Sequence, residues 1–294
     1  MATTIKNQLF ADFLQLTKFK LSLSVVFSSL IAYLLGAETV NYTTLFLLFL
    51  GGYFMVGASN AYNQIIEKEL DKKMERTKNR PMPMGRLSNT TAFIIATIFT
   101  ISGIAILYTI NEKSALFGAI SIFLYVSAYT PLKTITPLSI FVGAIPGAIP
   151  FMLGWVAATN HFGIEAGVLF LIQFVWQFPH FWALAWFLDE DYSRAGFKLL
   201  PTGKKDAGSL RQIVLYSVTL IFVSIIPAFG LTGELKLTIF GAIIIALLGV
   251  GVLYFALKLN KDKSDKTAKQ LMLASVSYLT LMQLVLIVDK FLLQ

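Results

Sequence analysis

The chain contains no cysteine among its 294 residues. Disulfides, thiolate metal sites, iron–sulfur clusters and cysteine nucleophiles are thereby excluded. Histidine is confined to two positions, His161 and His180. Charge is scarce too: 14% of residues are charged, against about 25% in an average soluble domain. Apolar residues fill the space, at 56% hydrophobic and a mean hydropathy of +0.71. Stretches of about 20 apolar residues recur, the length that crosses a bilayer as a helix. The sequence therefore predicts an all-α polytopic membrane protein. Its opening residues lack a short apolar core followed by a small-residue cleavage site, so no removable signal peptide is expected. Residues 7–16 read as a short amphipathic interfacial helix leading into the first span.

Nine spans are predicted by the length rule, at 18–36, 42–66, 90–110, 114–132, 137–158, 164–187, 211–231, 236–257 and 269–290. Pro131, Pro137, Pro201 and Gly or Asn clusters near 36, 111 and 160 punctuate them. The net charge of +8 lies in short loops, so it reads as membrane orientation and no nucleic-acid partner is expected. Of the 24 Lys and Arg residues, 21 fall on the side of the N-terminus and 3 on the other. That asymmetry predicts a cytoplasmic N-terminus and a C-terminus on the opposite side. A single membrane-embedded domain over 1–294 is expected, with the more polar segments 67–89 and 188–210 capping one face.

Those two segments carry the candidate chemistry. With the second helix continued through residue 75, Asn63, Glu67 and Asp71 stand four apart and share a face, with Asn60 ahead of them. Glu69 points elsewhere. An amide and two carboxylates are hard oxygen ligands, the kind Mg²⁺ shares with substrate phosphates. Arg76 and Arg80 follow, and arginine forks suit phosphate oxygens. The plain alternative is a solvated helix end laced with acid–base pairs. A second polar cluster on the same side favours a site: Asp189, Asp191, Arg194 and Lys198 after the sixth span, with Tyr129 and Lys133 after the fourth. In the fifth span, "GAIPGAIPFMLG" (143–154) sets small residues for close helix packing and prolines that bend it.

The pattern Asn63-x3-Glu67-x3-Asp71 before "KKMERTKNRP" resembles the first motif of the UbiA superfamily of intramembrane prenyltransferases. "YTPLK", "GAIPGAIPFMLGW" and "WQFPHFWALAWFLDEDYSRAGFKLLP" look like its haem-farnesylating branch, and the resemblance runs from about residue 10 to 290. It implies a ring of nine helices around a lipid-open cavity. The implied reaction moves a farnesyl group from farnesyl diphosphate to a vinyl group of haem B, with water addition, giving haem O for haem–copper oxidases. The implied setting is the cell inner membrane, with haem A synthase or oxidase assembly factors as partners. Carried onto this chain, a divalent cation, Mg²⁺, falls to Asn63, Glu67, Asp71, Asp189 and Asp191. Arg76, Arg80, Lys133, Lys198 and Tyr129 are then the diphosphate-binding set. His180, Trp176 and Gln177 form the haem-binding set, and a histidine inside a span is a functional residue by default. The opposing reading of His180 is a packed side chain bonded to a neighbouring helix. Two departures stand out: Glu occupies 67 and 69 where the family has Asp, and Ala195 stands where the wider superfamily often has a second Asp. Competing readings are a prenyltransferase acting on a quinone precursor and, in another class, a membrane transporter or lipid carrier. Charged groups gathered at one membrane face argue against the carrier, whose site belongs near the midplane.

Overall fold

The structure is a computed structural model describing residues 2–293. Among these residues, nine helices are long and apolar enough to cross a bilayer. The chain opens with α1 (Ala2–Leu16), turns at Thr17–Lys18, and enters α2 (Phe19–Gly36). Next come α3 (Tyr42–Ile66), the one-turn α4 (Lys68–Asp71), α5 (Asn89–Ile110) and α6 (Glu112–Phe123). A π-helical stretch, Leu124–Tyr129, joins α6 to α7 (Thr130–Leu132). Then follow α8 (Ser139–Thr159), α9 (Ile164–Phe187), α10 (Asp189–Ala195) and α11 (Ala207–Ser224). The chain ends with α12 (Ile239–Asp262) and α13 (Asp265–Val288).

Polar N-caps set the starts of six of those nine long apolar helices. The side chains of Asn41, Ser88, Asn111, Asp206, Thr238 and Ser264 each accept a backbone N–H from the first turn of the helix they open. Successive long helices pack side by side from α2 around to α13, and α13 returns to α2, closing a ring. Two members of the ring make further contacts beyond their neighbours in sequence: α8 also leans on α2, and α9 also leans on α13. They are the most enclosed spans, with 67% and 61% of an 18-residue apolar stretch buried against 17% in α5.

Three predicted boundaries change. The second span does not run on to residue 75. α3 ends at Ile66, Glu67 breaks the helix (φ −91°, ψ 6°), and after α4 the chain folds in turns as far as Ser88. Thr77 Oγ1 donates to the Asp71 carbonyl at 2.9 Å, and Pro81 and Pro83 have no N–H with which to continue a helix. The loop expected over 258–268 is only two residues long, because Lys263 takes a left-handed conformation and Ser264 immediately caps α13. α11 begins earlier than expected, at Ala207, where Asp206 caps it. The π-helical stretch was not expected either. It lies just ahead of Pro131, and Thr130 donates through both its N–H and its hydroxyl to the Tyr125 carbonyl five residues back.

The small residues of α8 do what their spacing suggests. A Cβ on Gly154 would run into the Ser29 carbonyl oxygen and lie 2.8 Å from Tyr33 N, so α2 and α8 touch backbone to backbone. A Cβ on Gly147 would collide with Gln177 Oε1. Neither helix can yield at position 154 without separating the pair. Gly154→Ala should therefore lower the melting temperature in detergent, at a cost of about 1–3 kcal/mol. Gly167→Ala, whose Cβ meets nothing within 4 Å, should leave it unchanged or raise it.

Candidate active site

At one end of the ring the polar stripe that runs from the end of α3 into α4 meets positive charge from three other segments. Asn63, Glu67 and Asp71 are all buried, at 1%, 4% and 1% exposure. Buried carboxylates require neutralising partners. Glu67 Oε1 receives Lys133 Nζ at 2.8 Å, and Lys133 is buried as well. Asp71 Oδ2 receives Arg80 Nη1 at 2.8 Å. Asn63 Oδ1 accepts from Lys18 Nζ at 3.4 Å, and its amide donates to Thr130 Oγ1 at 3.3 Å. Glu69 lies off the stripe, as expected, and pairs with Lys72 on the surface.

The π-helical stretch delivers the opposite wall. Tyr125, Tyr129 and Lys133 stand four apart, and Lys133 Nζ lies 4.5 Å from the Tyr129 ring centroid and 5.7 Å from that of Phe197. The two tyrosine rings are 5.2 Å apart. Tyr129 packs onto the bare face of Gly143, where a Cβ would sit 2.5 Å from its ring. Burial pushes the Lys133 ammonium down, but the Glu67 carboxylate beside it leaves it above the ordinary lysine value.

Asp191 closes the site from a different direction. Its oxygens accept the backbone N–H groups of Glu75 at 3.0 Å and Arg76 at 3.2 Å, and Arg194 pairs with it. It thereby ties α10 to the turns that carry Arg76 and Arg80. Arg76 is exposed, with its guanidinium 5.9 Å from the Tyr192 ring. Lys198 contributes its backbone: its N–H donates to the Lys133 carbonyl at 2.7 Å, while its exposed side chain reaches Ile135 O at 3.4 Å. The expectation that Asp189 joins the metal ligands is not met. Its charged neighbours are Lys205, Asp265 and Glu190, a separate cluster, because Asp189 and Asp191 stand two apart on α10 and so face different sides of it.

The expected haem set divides between two helices. Trp176 Nε1 donates to Ser275 O at 2.6 Å, and His180 Nδ1 bonds Ser275 Oγ at 2.9 Å, with the two rings stacked at 4.8 Å. Both face α13. Gln177 faces α8 instead, donating to Ala144 O at 2.9 Å. His161 is exposed.

The donor set fits a divalent cation of the Mg²⁺ type. Asp71 Oδ1 is buried and has no hydrogen-bond partner, an oxygen left over for a ligand. No group of three His, Cys, Asp or Glu converges among the described residues. The protein thus offers two carboxylates and an amide, leaving the remaining positions to water and substrate oxygens, which is how Mg²⁺ is commonly held.

Reasoning from sequence missed Lys18, Tyr125 and Thr130 as members of the site. The signal for Tyr125 was present: Tyr125-x3-Tyr129-x3-Lys133 repeats the spacing of Asn63-x3-Glu67-x3-Asp71.

A sequence model of the UbiA prenyltransferase family matches residues 25–282. A Flavobacterium psychrophilum protein described as a protoheme IX farnesyltransferase is 64% identical over 289 residues, covering 97% of this chain and 96% of its own length. A Christiangramia forsetii protein of the same description is 62% identical over 281 residues, covering 96% and 94%. Among solved structures, a UbiA homolog from Archaeoglobus fulgidus bound to GPP and Mg²⁺ superposes with a TM-score of 0.70 at 15% identity. That superposition covers 94% of this chain and 99% of the other.

The Asp191 tie predicts a measurable effect. Two backbone donors and Arg194 outweigh the upward push of burial and hold Asp191 below the ordinary carboxylate value. Amide hydrogen exchange at Glu75 and Arg76 should accelerate about tenfold or more in Asp191→Ala, and less in Asp191→Asn, which keeps one acceptor. In the parent, the part of this protection that Asp191 supplies should be full above the ordinary carboxylate range, shrink progressively as pH falls below it, and be gone once pH has passed the lowered value.

Proposed function

This chain belongs to the UbiA prenyltransferase family, and we propose that it is the farnesyltransferase that converts haem B to haem O. It takes the farnesyl group from farnesyl diphosphate, joins it to a vinyl group of haem B and adds water. The observation that carries the reading is a buried acid stripe faced by Lys133, Arg80 and Lys18, at one end of a ring of apolar helices. Relatives above 60% identity over nearly the whole chain bear the same description. They favour haem over a quinone precursor as acceptor, and an enzyme over a carrier.

In this proposal Asn63, Glu67 and Asp71 hold the divalent cation, which supplies charge neutralisation to the diphosphate when bound. Arg80, Lys133 and Arg76 face the diphosphate oxygens and stabilise the charge that grows as the allylic C–O bond breaks. Tyr129 sets the position of Lys133 through its ring. The ring interior keeps water from the farnesyl cation until the electron-rich vinyl carbon attacks it. The benzylic-type cation left beside the porphyrin then takes up water and loses one proton to solvent, leaving the hydroxyl, and the diphosphate departs with the C–O bonding electrons. Asp191 acts by fixing the turns that present Arg76 and Arg80. His180, with Trp176 stacked on it, is proposed as the haem contact, while Gln177 holds α9 against α8.

The segments 67–89 and 188–210 cap the site on the cytoplasmic side of the cell inner membrane in this reading, supported by the bias of positive charge toward that face. The product's next consumers, haem A synthase or oxidase assembly factors, are its proposed partners.

Pigment analysis tests the assignment. Membranes from cells expressing the chain should accumulate haem O, and Asp71→Asn at equal protein level should reduce it at least about 100-fold, as expected when an electrostatic transition-state contact is lost. Near-normal haem O from Asp71→Asn would sink the site, and no haem O from the parent chain would sink the function.

A further inference from the structure

Lys18 sits at the elbow between α1 and α2, just ahead of the first span. Its backbone is left-handed, φ 45° and ψ 54°. Glycine and asparagine adopt that conformation at the least cost. The other left-handed lysine, Lys263, ends α12 and is exposed. Lys18 is half-buried, and its ammonium reaches Asn63 Oδ1 at 3.4 Å. The backbone gains nothing from a lysine here, so the side chain accounts for the residue.

The elbow is also built to hold that position. Gln64 donates to the carbonyls of Gln15 at 3.1 Å and Leu16 at 2.7 Å. Asn60 donates to Ser22 Oγ at 3.3 Å, and Ser22 Oγ donates to Thr17 O at 2.7 Å. Further back on α1, Asp12 accepts Arg86 Nε at 3.0 Å, from the turns that carry Arg80. α1 is thus fastened both to α3 and to the turns that carry Arg80.

We propose that Lys18 is a diphosphate-binding residue of this site, carried into it by the α1–α2 elbow. The inference rests on the farnesyl-transfer reading for the identity of the diphosphate. Lys18 brings a third basic group beside Lys133 and Arg80, its ammonium pKa pulled down to about 7 by burial and by those two neighbours. Its partner in the structure is a neutral amide, so it is the cation of the three with the least to lose by turning to a phosphate oxygen.

The test uses purified full-length protein in nanodiscs with Mg²⁺ and the S-thiolodiphosphate analogue of farnesyl diphosphate, titrated by calorimetry without haem. Lys18→Gly removes the ammonium and relieves the left-handed backbone together. Its melting temperature should equal or exceed the parent's, while analogue affinity falls about tenfold or more. Lys18→Arg should keep most of the affinity. Haem affinity, read from the Soret band, should be unchanged in both, and Lys20→Gly at the exposed neighbour should bind the analogue like the parent. Parent-like analogue affinity in Lys18→Gly would overturn the proposal. So would a joint loss of melting temperature and of affinity for both ligands, which would make Lys18 purely a structural part of the elbow. Failure of the farnesyl-transfer reading looks different: the parent would bind the analogue yet make no farnesylated haem.

Discussion

Two carboxylates buried at the end of α3 constrain the rest of this molecule. A carboxylate removed from water without a partner costs several kcal/mol, and losing one side of a buried pair costs about 3–5 kcal/mol. Glu67 and Asp71 are 4% and 1% exposed. Neither is neutralised from its own helix. Lys133 arrives from the end of the fourth span and Arg80 from the turns after α4. Each partner must itself be positioned. Lys133 depends on the π-helical stretch and on the N–H of Lys198, and Arg80 depends on turns that Asp191 ties down from α10. The polar end of the ring is therefore one connected assembly, drawn from α3, the α6–α7 wall, α10 and the elbow.

The same arrangement is suited to exchange. Ion pairs between side chains can be traded for pairs with a diphosphate, because the incoming oxygens replace the carboxylates in kind. Metal ligation by Glu67 and Asp71 and phosphate binding by Lys133 and Arg80 are then two halves of one rearrangement. The unpartnered Asp71 Oδ1 leaves room for it to begin without breaking an existing bond.

The sequence carried the helix count, the close packing of the fifth span and the stripe well, because spans, glycine spacing and i, i+4 repeats are local patterns, whereas the ring was implied only by the family resemblance. Asn63, Glu67 and Asp71 were legible as a row even though the helix breaks at Glu67, since the Asp71 N–H still donates to the Glu67 carbonyl at 2.7 Å. Lys133 and Tyr129 were legible as residues at the same face. What was not legible depended on a backbone direction that no residue type announces. The left-handed turn at Lys18 converts a charge that reads as membrane orientation into a side chain beside Asn63. After the sixth span ends at Phe187, Asp189 and Asp191 stand two apart on a new helix, α10, so Asp189 lies toward Lys205 while Asp191 accepts from the turns. The two helices that receive Trp176, His180 and Gln177 likewise follow from rotation of α9, which composition does not specify.

The far end of the ring shows why the partner, and not the charge, decides what a lysine does. Lys290 points its ammonium at the carbonyls of Leu34, Leu35 and Ala37, at 3.0, 2.8 and 2.8 Å. All three of its donors are spent on the exposed C-terminal carbonyls of α2. Those acceptors belong to the backbone and cannot move away without unwinding the helix. A cation so placed closes the end of a helix and favours the dipole there. At the other end Lys18, Lys133 and Arg80 face side-chain oxygens that can rotate. Between the two ends, near-identical side chains are divided into fixed and exchangeable roles by whether their acceptor is part of the main chain. That division puts ligand exchange at one face of the membrane and mechanical closure at the other.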